Sequence, residues 1–162
     1  LSELALARPA LEEARTIAGR IGYSLGHGLA STFIAEVHMA QGDPASALAA
    51  SETAILQLRQ CSAVLLVPQA LVSRGKSLFA LGRHQEAVAQ FDEILVKGNI
   101  GSGADAADFR KAMICRARTL QAAGRTTEAR DARREVEDQI RSAGLEVEEN
   151  SGLAEMRREI EG

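Results

Sequence analysis

The sequence predicts an all-α protein built as an α-solenoid of stacked antiparallel helix pairs. Three observations carry this. Glycine-centred turns recur at Gly42, Gly82 and Gly124, each between segments of helical period. Small residues hold matching places inside those segments, Ala35, Gly75 and Ala117 in one series and Ala47, Ala87 and Ala129 in the other. Aromatic residues make up only 3% of the chain and β-branched runs are nearly absent, so the core must come from Ala, Leu, Val and Ile, which suits closely approaching helices and not a sheet.

The elements follow from the turns. Ala7-Arg8-Pro9, Gly42-Asp43-Pro44, Gly82-Arg83-His84 and Gly124-Arg125-Thr126 read as turns spaced by 35, 40 and 42 residues. Glycine supplies the left-handed residue that ends a helix, and Asp43 followed by Pro44 offers a capping oxygen and a ring already set at the helical angle. The expected helices are a stub at 3–7 followed by 9–21, then the pairs 26–41 with 44–60, 67–81 with 84–96, and 104–123 with 127–143. A short helix at 151–161, with Leu153, Met156 and Ile160 on one face, is expected to cap the stack. The expected organisation is one domain over 1–162, with a truncated repeat at 1–22, repeats at 24–61, 64–97 and 104–143, and the cap. The glycine-rich segment 98–103 reads as a mobile link and 144–150 as a solvated one. The chain opens at Leu1 inside an expected helix, which reads as a piece of a longer protein.

The net charge of −3 argues against a nucleic-acid grip over the whole surface. Charge is uneven: residues 110–141 hold nine basic side chains against five acidic ones, and the stretch from 145 onward holds six Glu and two Arg. The two are expected to complement each other within one molecule. Cys61 and Cys115 have no metal-ligand spacing and read as free buried thiols of a cytoplasmic protein. No apolar run reaches the roughly 18 residues a membrane span requires, and no signal peptide is visible.

Catalytic constellations fail on inspection. Gly75-Lys76-Ser77 imitates the end of a phosphate-binding loop, but Ala70 stands where the leading Gly belongs, and the segment is mid-helix. His27, His38 and His84 are scattered. His38 is expected to pack between helices and His84 to be exposed, and no pair has metal spacing. Glu12-Glu13 and Glu148-Glu149 are sequence neighbours, which diverge on a helix. The basic side chains near Cys115 would favour its thiolate, yet a Cys in an Ala-rich helix reads as core. No catalytic residue, metal or cofactor is expected.

The segment 71–91 reads Leu71-x2-Arg74-Gly75-x2-Leu78 and then Ala87-x3-Phe91. The flanking segments read Ser31-x2-Ile34-Ala35-x2-His38 with Ala47-x3-Ser51, and Met113-x2-Arg116-Ala117-x2-Leu120 with Ala129-x3-Arg133. In this the chain resembles the tetratricopeptide-repeat family, over about residues 24–142. It departs in having Asn99 at the family's closing Pro and repeats six to eight residues longer than usual. Longer repeats of this kind are similar to the helical arrays of large bacterial regulators, such as transcriptional activators and nucleotide cyclases. The resemblance implies a right-handed α-solenoid with the first helix of each pair lining a concave face.

By that resemblance the ligand-groove candidates are Thr32 and Glu36, then Gln69, Val72, Ser73 and Lys76, then Lys111, Ile114, Cys115 and Arg118. Lys76, Lys111 and Arg118 together would favour an anionic group on the ligand. Some family members clamp a peptide carboxylate with a Lys-Asn-Asn-Lys-Arg set, and this chain lacks both Asn residues, having Ser73 and Glu36 or Lys76 there. The implied function is a non-catalytic protein-interaction module, regulatory or scaffolding, whose partner is a protein, a peptide or another domain of its parent chain. The alternative is a small-ligand or peptide sensor in a transcriptional regulator or nucleotide cyclase. An apolar face on the N-terminal helices (Leu4, Leu11, Ile17, Ile21) suggests a homodimer as well.

Overall fold

The computed structural model describes residues 2–97 and 104–142. The expected links at 98–103 and 144–150 and the expected capping helix at 151–161 lie outside the described residues. Among the described residues there are seven α-helices and no strand. They are α1 (Ser2–Arg20), α2 (Ser24–Ala40), α3 (Pro44–Gln60), α4 (Val67–Ala80), α5 (His84–Lys97), α6 (Ala104–Ala122) and α7 (Thr126–Ser142), with a 3-10 turn at Val64–Leu66 between α3 and α4. They form two compact units, Leu1–Arg83 and His84–Gly162.

One hydrogen-bond pattern ends five of these helices. Gly22, Gly42, Ser62, Gly82 and Gly124 take φ values of 70°, 75°, 56°, 73° and 75°. The amide after each donates back to a carbonyl five residues earlier: Tyr23 to Ala18 at 2.8 Å, and Asp43 to His38, Ala63 to Leu58, Arg83 to Leu78 and Arg125 to Leu120, each at 2.9 Å. This closure satisfies carbonyls the helix itself leaves open, and it needs a left-handed residue. Ser62 is the one non-glycine residue with positive φ among those described, and it carries a steric cost of about 1–2 kcal/mol that glycine escapes. Ser62→Gly is therefore expected to raise stability by roughly 0.5–1 kcal/mol after glycine's extra chain entropy is subtracted. Thermal denaturation of the two proteins side by side checks it, and a fall in the midpoint would contradict the assignment.

The turn expected at Ala7-Arg8-Pro9 does not form. Helix α1 runs unbroken through Pro9, and the chain first reverses at Gly22. Proline removes one donor from the helical ladder, but the helix is held from outside by packing, which overrides local preference. Leu11 packs against a cluster of Ile34, Ala35 and Ala50, and Ala18 is buried. Accordingly α2 starts at Ser24, two residues before the expected start.

Glycines set the close approaches in the first unit. A methyl group on Gly28 would stand 2.8 Å from Leu58 Cγ, so α2 and α3 touch there with no room for a side chain. Gly19 of α1 offers its bare surface to the His27 ring, and Gly26 is covered by the Tyr23 ring. Ala35, Ala47, Ala54 and Ala70 are fully buried, as the small-residue series requires of helix crossings. Cross-links between helices are Arg74 Nε to Glu52 Oε1 at 3.3 Å and Ser77 Oγ donating to Met39 Sδ at 3.5 Å.

The second unit is organised around α6. Met113, Ile114, Ala117 and Leu120 of α6 join Val88 of α5 and Ala129, Ala132, Val136 and Ile140 of α7 in one apolar cluster, with Leu95 and Phe109 at its edge. Arg116 pairs with Asp92 of α5.

Three further expectations are corrected. Cys61 is exposed, because it sits at the end of α3 just before the left-handed turn, not on the packed face. Cys115 is only half-buried. His84 is half-buried instead of exposed, since it opens α5 with its Nδ1 enclosed. His38 does pack at a helix end, its side chain 12% exposed and its Nδ1 3.6 Å from Asp43 Oδ2.

Asp43 itself caps α3 by accepting from the Ser46 amide at 3.0 Å. Those Ser46 hydrogen bonds, with smaller help from His38 and Arg8, hold its carboxyl below its ordinary value of 3.8. A depressed carboxyl contributes stability that is fully present above its ordinary value and is lost as pH falls through the lower folded-state value. Asp43→Asn keeps an acceptor at the cap and removes the titration. We expect it to flatten the acid end of the stability curve, read as thermal midpoint from neutral pH down through about pH 3. A variant curve parallel to the wild type throughout would refute this role.

Candidate binding face of helices α2 and α4

In the first unit α2 and α4 lie against each other, with α3 packed behind both. The outward stripe of α2 is Leu29, Phe33, Glu36 and Ala40; that of α4 is Gln69, Lys76 and Ala80. Both follow the spacing that keeps side chains on one helical face. The two stripes meet where Gln69 Nε2 donates to Glu36 Oε1 at 3.3 Å. Glu36 and Lys76 are exposed, and Phe33 keeps 43% of its surface in solvent. Among the described residues Glu36 meets no cation and Lys76 forms no ion pair.

The sequence-predicted groove residues divide by burial. Thr32, Val72, Ser73 and Ile114 are buried, at 1%, 4%, 5% and 9% exposure. Thr32 spends its hydroxyl on the Gly28 carbonyl at 3.0 Å, and Ile114 belongs to the α6 cluster. These four are corrected from groove positions to packing positions. For Thr32 the reason is one of angle, since it sits one residue off Phe33 and its side chain turns inward; Val72 and Ser73 are covered where α2 and α3 press on α4. Glu36, Gln69 and Lys76 remain accessible and share the first unit. Lys111 and Arg118 lie seven residues apart on α6 of the second unit, Lys111 exposed and paired with Asp108 at 3.2 Å, Arg118 half-buried. The residue that sequence reasoning missed is Phe33. Its signal was available: an aromatic between Thr32 and Ile34, three residues before Glu36, in a chain with few aromatics.

Four basic side chains of the second unit pair with carboxylates nearby in the chain. Arg125 pairs with Glu128 at 2.6 Å, Arg133 with Glu137 at 3.0 Å, Arg134 with Asp131 at 3.9 Å and Arg141 with Asp138 at 2.9 Å. The Arg125 guanidinium holds the Glu128 carboxyl below its ordinary value, mainly through their hydrogen bond. The acidic stretch expected to complement these residues, from 145 onward, lies outside the described residues. The expected N-terminal apolar face is also redistributed. Leu11 turns inward, while Ile17 and Ile21 are 43% and 71% exposed.

Helices ended at five places by left-handed closures, with small residues at their crossings, define a helical-repeat protein among the described residues. No helix among the described residues is long and apolar enough to cross a membrane. Comparison with known families matches the tetratricopeptide repeat three times, at residues 33–53, 68–93 and 111–135. The chain belongs to the tetratricopeptide-repeat family, whose fold is a solenoid of helix pairs. The three matches fall on α2 with α3, α4 with α5, and α6 with α7. No curated protein matches the chain. Repeats of this family generally mediate protein–protein interaction and are typically non-catalytic.

Proposed function

We propose that this chain is a non-catalytic interaction module that holds a protein or peptide segment on the α2–α4 face, in a regulatory or scaffolding role within a bacterial protein. The observation that carries the reading is the exposed stripe of Phe33, Glu36 and Lys76 around the Glu36–Gln69 contact. A fixed helical surface of this kind recognises a partner through a few anchoring side chains without chemical change. Gln69 orients the Glu36 carboxylate, and Lys76 offers a cation further along α4. Taken by itself, the second unit offers Lys111 and Arg118 of α6 as a basic contact for a partner of its own. Exposed Ile17 and Ile21 on α1 favour self-association as a second, weaker contact, which light scattering across protein concentrations tests.

The test of the main reading is a displayed library of random peptides selected against the whole chain, with bound peptides mapped by amide chemical-shift changes. Shifts concentrated at Phe33, Glu36, Gln69 and Lys76, and weakened binding by Gln69→Ala, are the expected result. No selected peptide, or a footprint on the opposite side around Leu56, would remove the proposal.

A further inference from the structure

The charges left unanswered on the α2–α4 face specify the chemistry of what covers it. Glu36 is exposed, accepts one hydrogen bond from a neutral amide, and meets no cation among the described residues. Elsewhere in the same unit carboxylates do find cations, as Glu52 finds Arg74 and Glu12 finds Arg15. One helical turn before Glu36 stands Phe33, an apolar ring with 43% of its surface in water. Side chains three apart on a helix are neighbours. An aromatic face beside a carboxylate attracts a cationic side chain twice, through the ring's quadrupole and through charge. The Gln69 amide holds the carboxylate at the join of the two helices, so the site is oriented before anything binds.

Lys76 fixes a second point. It lies seven residues beyond Gln69, about 10 Å along the α4 axis at 1.5 Å per residue. Three residues of extended chain span about the same distance. Resting on the reading of this face as a peptide site, we infer that the partner is an extended segment bearing Arg or Lys that seats between Phe33 and Glu36. An Asp or Glu about three residues away on that segment reaches Lys76. The partner is thus a mixed-charge peptide and not a uniformly acidic one, and the pattern fixes its direction across the two helices.

The same random-peptide selection tests this separately, through the composition of the peptides recovered. Enrichment of Arg or Lys with an acidic residue about three positions away is the expected outcome. Selection against Glu36→Lys should exchange that preference for an acidic residue at the first position. For one selected peptide, Glu36→Gln and Phe33→Ala should each weaken binding by roughly three- to tenfold. Its Arg→norleucine analogue should lose the sensitivity to Glu36→Gln. Both substituted positions are on the surface, and an unchanged far-UV circular dichroism spectrum and thermal midpoint for each variant separates lost recognition from lost folding. Peptides that footprint on α2 and α4 without charge preference, or a preference that survives Glu36→Lys, would overturn the inference while leaving the face as a binding site. A footprint elsewhere, or no binders, would overturn both.

Discussion

Leu120→Ala is expected to destabilise the second unit by about 2–5 kcal/mol, the cost of deleting a fully enclosed leucine and leaving a cavity. Leu120 has no exposed surface and belongs to the cluster that joins Met113, Ala117, Val136 and Ile140. Its backbone carbonyl also closes the end of α6 by accepting from Arg125 at 2.9 Å, and the substitution leaves that bond in place. The loss is therefore one of packing alone. Alanine-rich neighbours restrict collapse into the space, since Ala117, Ala129 and Ala132 have no side-chain freedom to fill it. Urea denaturation measures the total. Amide exchange resolved along the chain should show the largest loss of protection across α6 and α7. A change below about 1 kcal/mol would mean that the cluster is not the core of this unit.

Gly28→Ala is expected to destabilise the first unit, against its local preference. In a helix interior alanine is favoured over glycine by about 1 kcal/mol. Here the added methyl would meet Leu58 Cγ at 2.8 Å, Cδ2 at 2.9 Å and the Leu58 backbone nitrogen at 3.3 Å. Leu58 is fully buried, so its side chain has nowhere to swing. Overpacking of this kind costs about 1–3 kcal/mol and outweighs or cancels the helical gain. The decisive measurement is a double-mutant cycle with Leu58→Ala. Trimming the leucine opens space for the methyl, so the pair should cost less than the sum of the single changes. Strict additivity would show that the contact between α2 and α3 at Gly28 is not tight.

The local rules were legible because they act over a few residues. Gly42, Gly82 and Gly124 mark helix ends, since a left-handed closure favours a residue without Cβ, and each does close a helix. Asp43 before Pro44 reads as a start and caps α3. The small residues at Ala35, Ala47, Ala87, Ala117 and Ala129 read as crossings, and all are buried without residual exposure. The closure at Ser62 was not legible, because serine carries no signal for a left-handed conformation and adopts it only under the constraint of its surroundings. Gly22 was masked by Pro9, whose stronger local signal for a break was overridden by the packing of α1 on α2.

The candidate site shows the same division. Which helices form, where they turn and which family they belong to are set by period, glycine placement and small-residue spacing, and these are written in the order of the residues. Which face of each helix remains in water depends on where its neighbours press, and a difference of one residue rotates a side chain by about 100°. That rotation buries Thr32 beside the accessible Phe33. It also joins Glu36 to Gln69, two residues separated by 33 positions in the chain. Sequence determined a ladder of helix pairs; only the packing of α2 against α4 decided which side chains are left to meet a partner, because exposure is a property of neighbours and not of the residue itself.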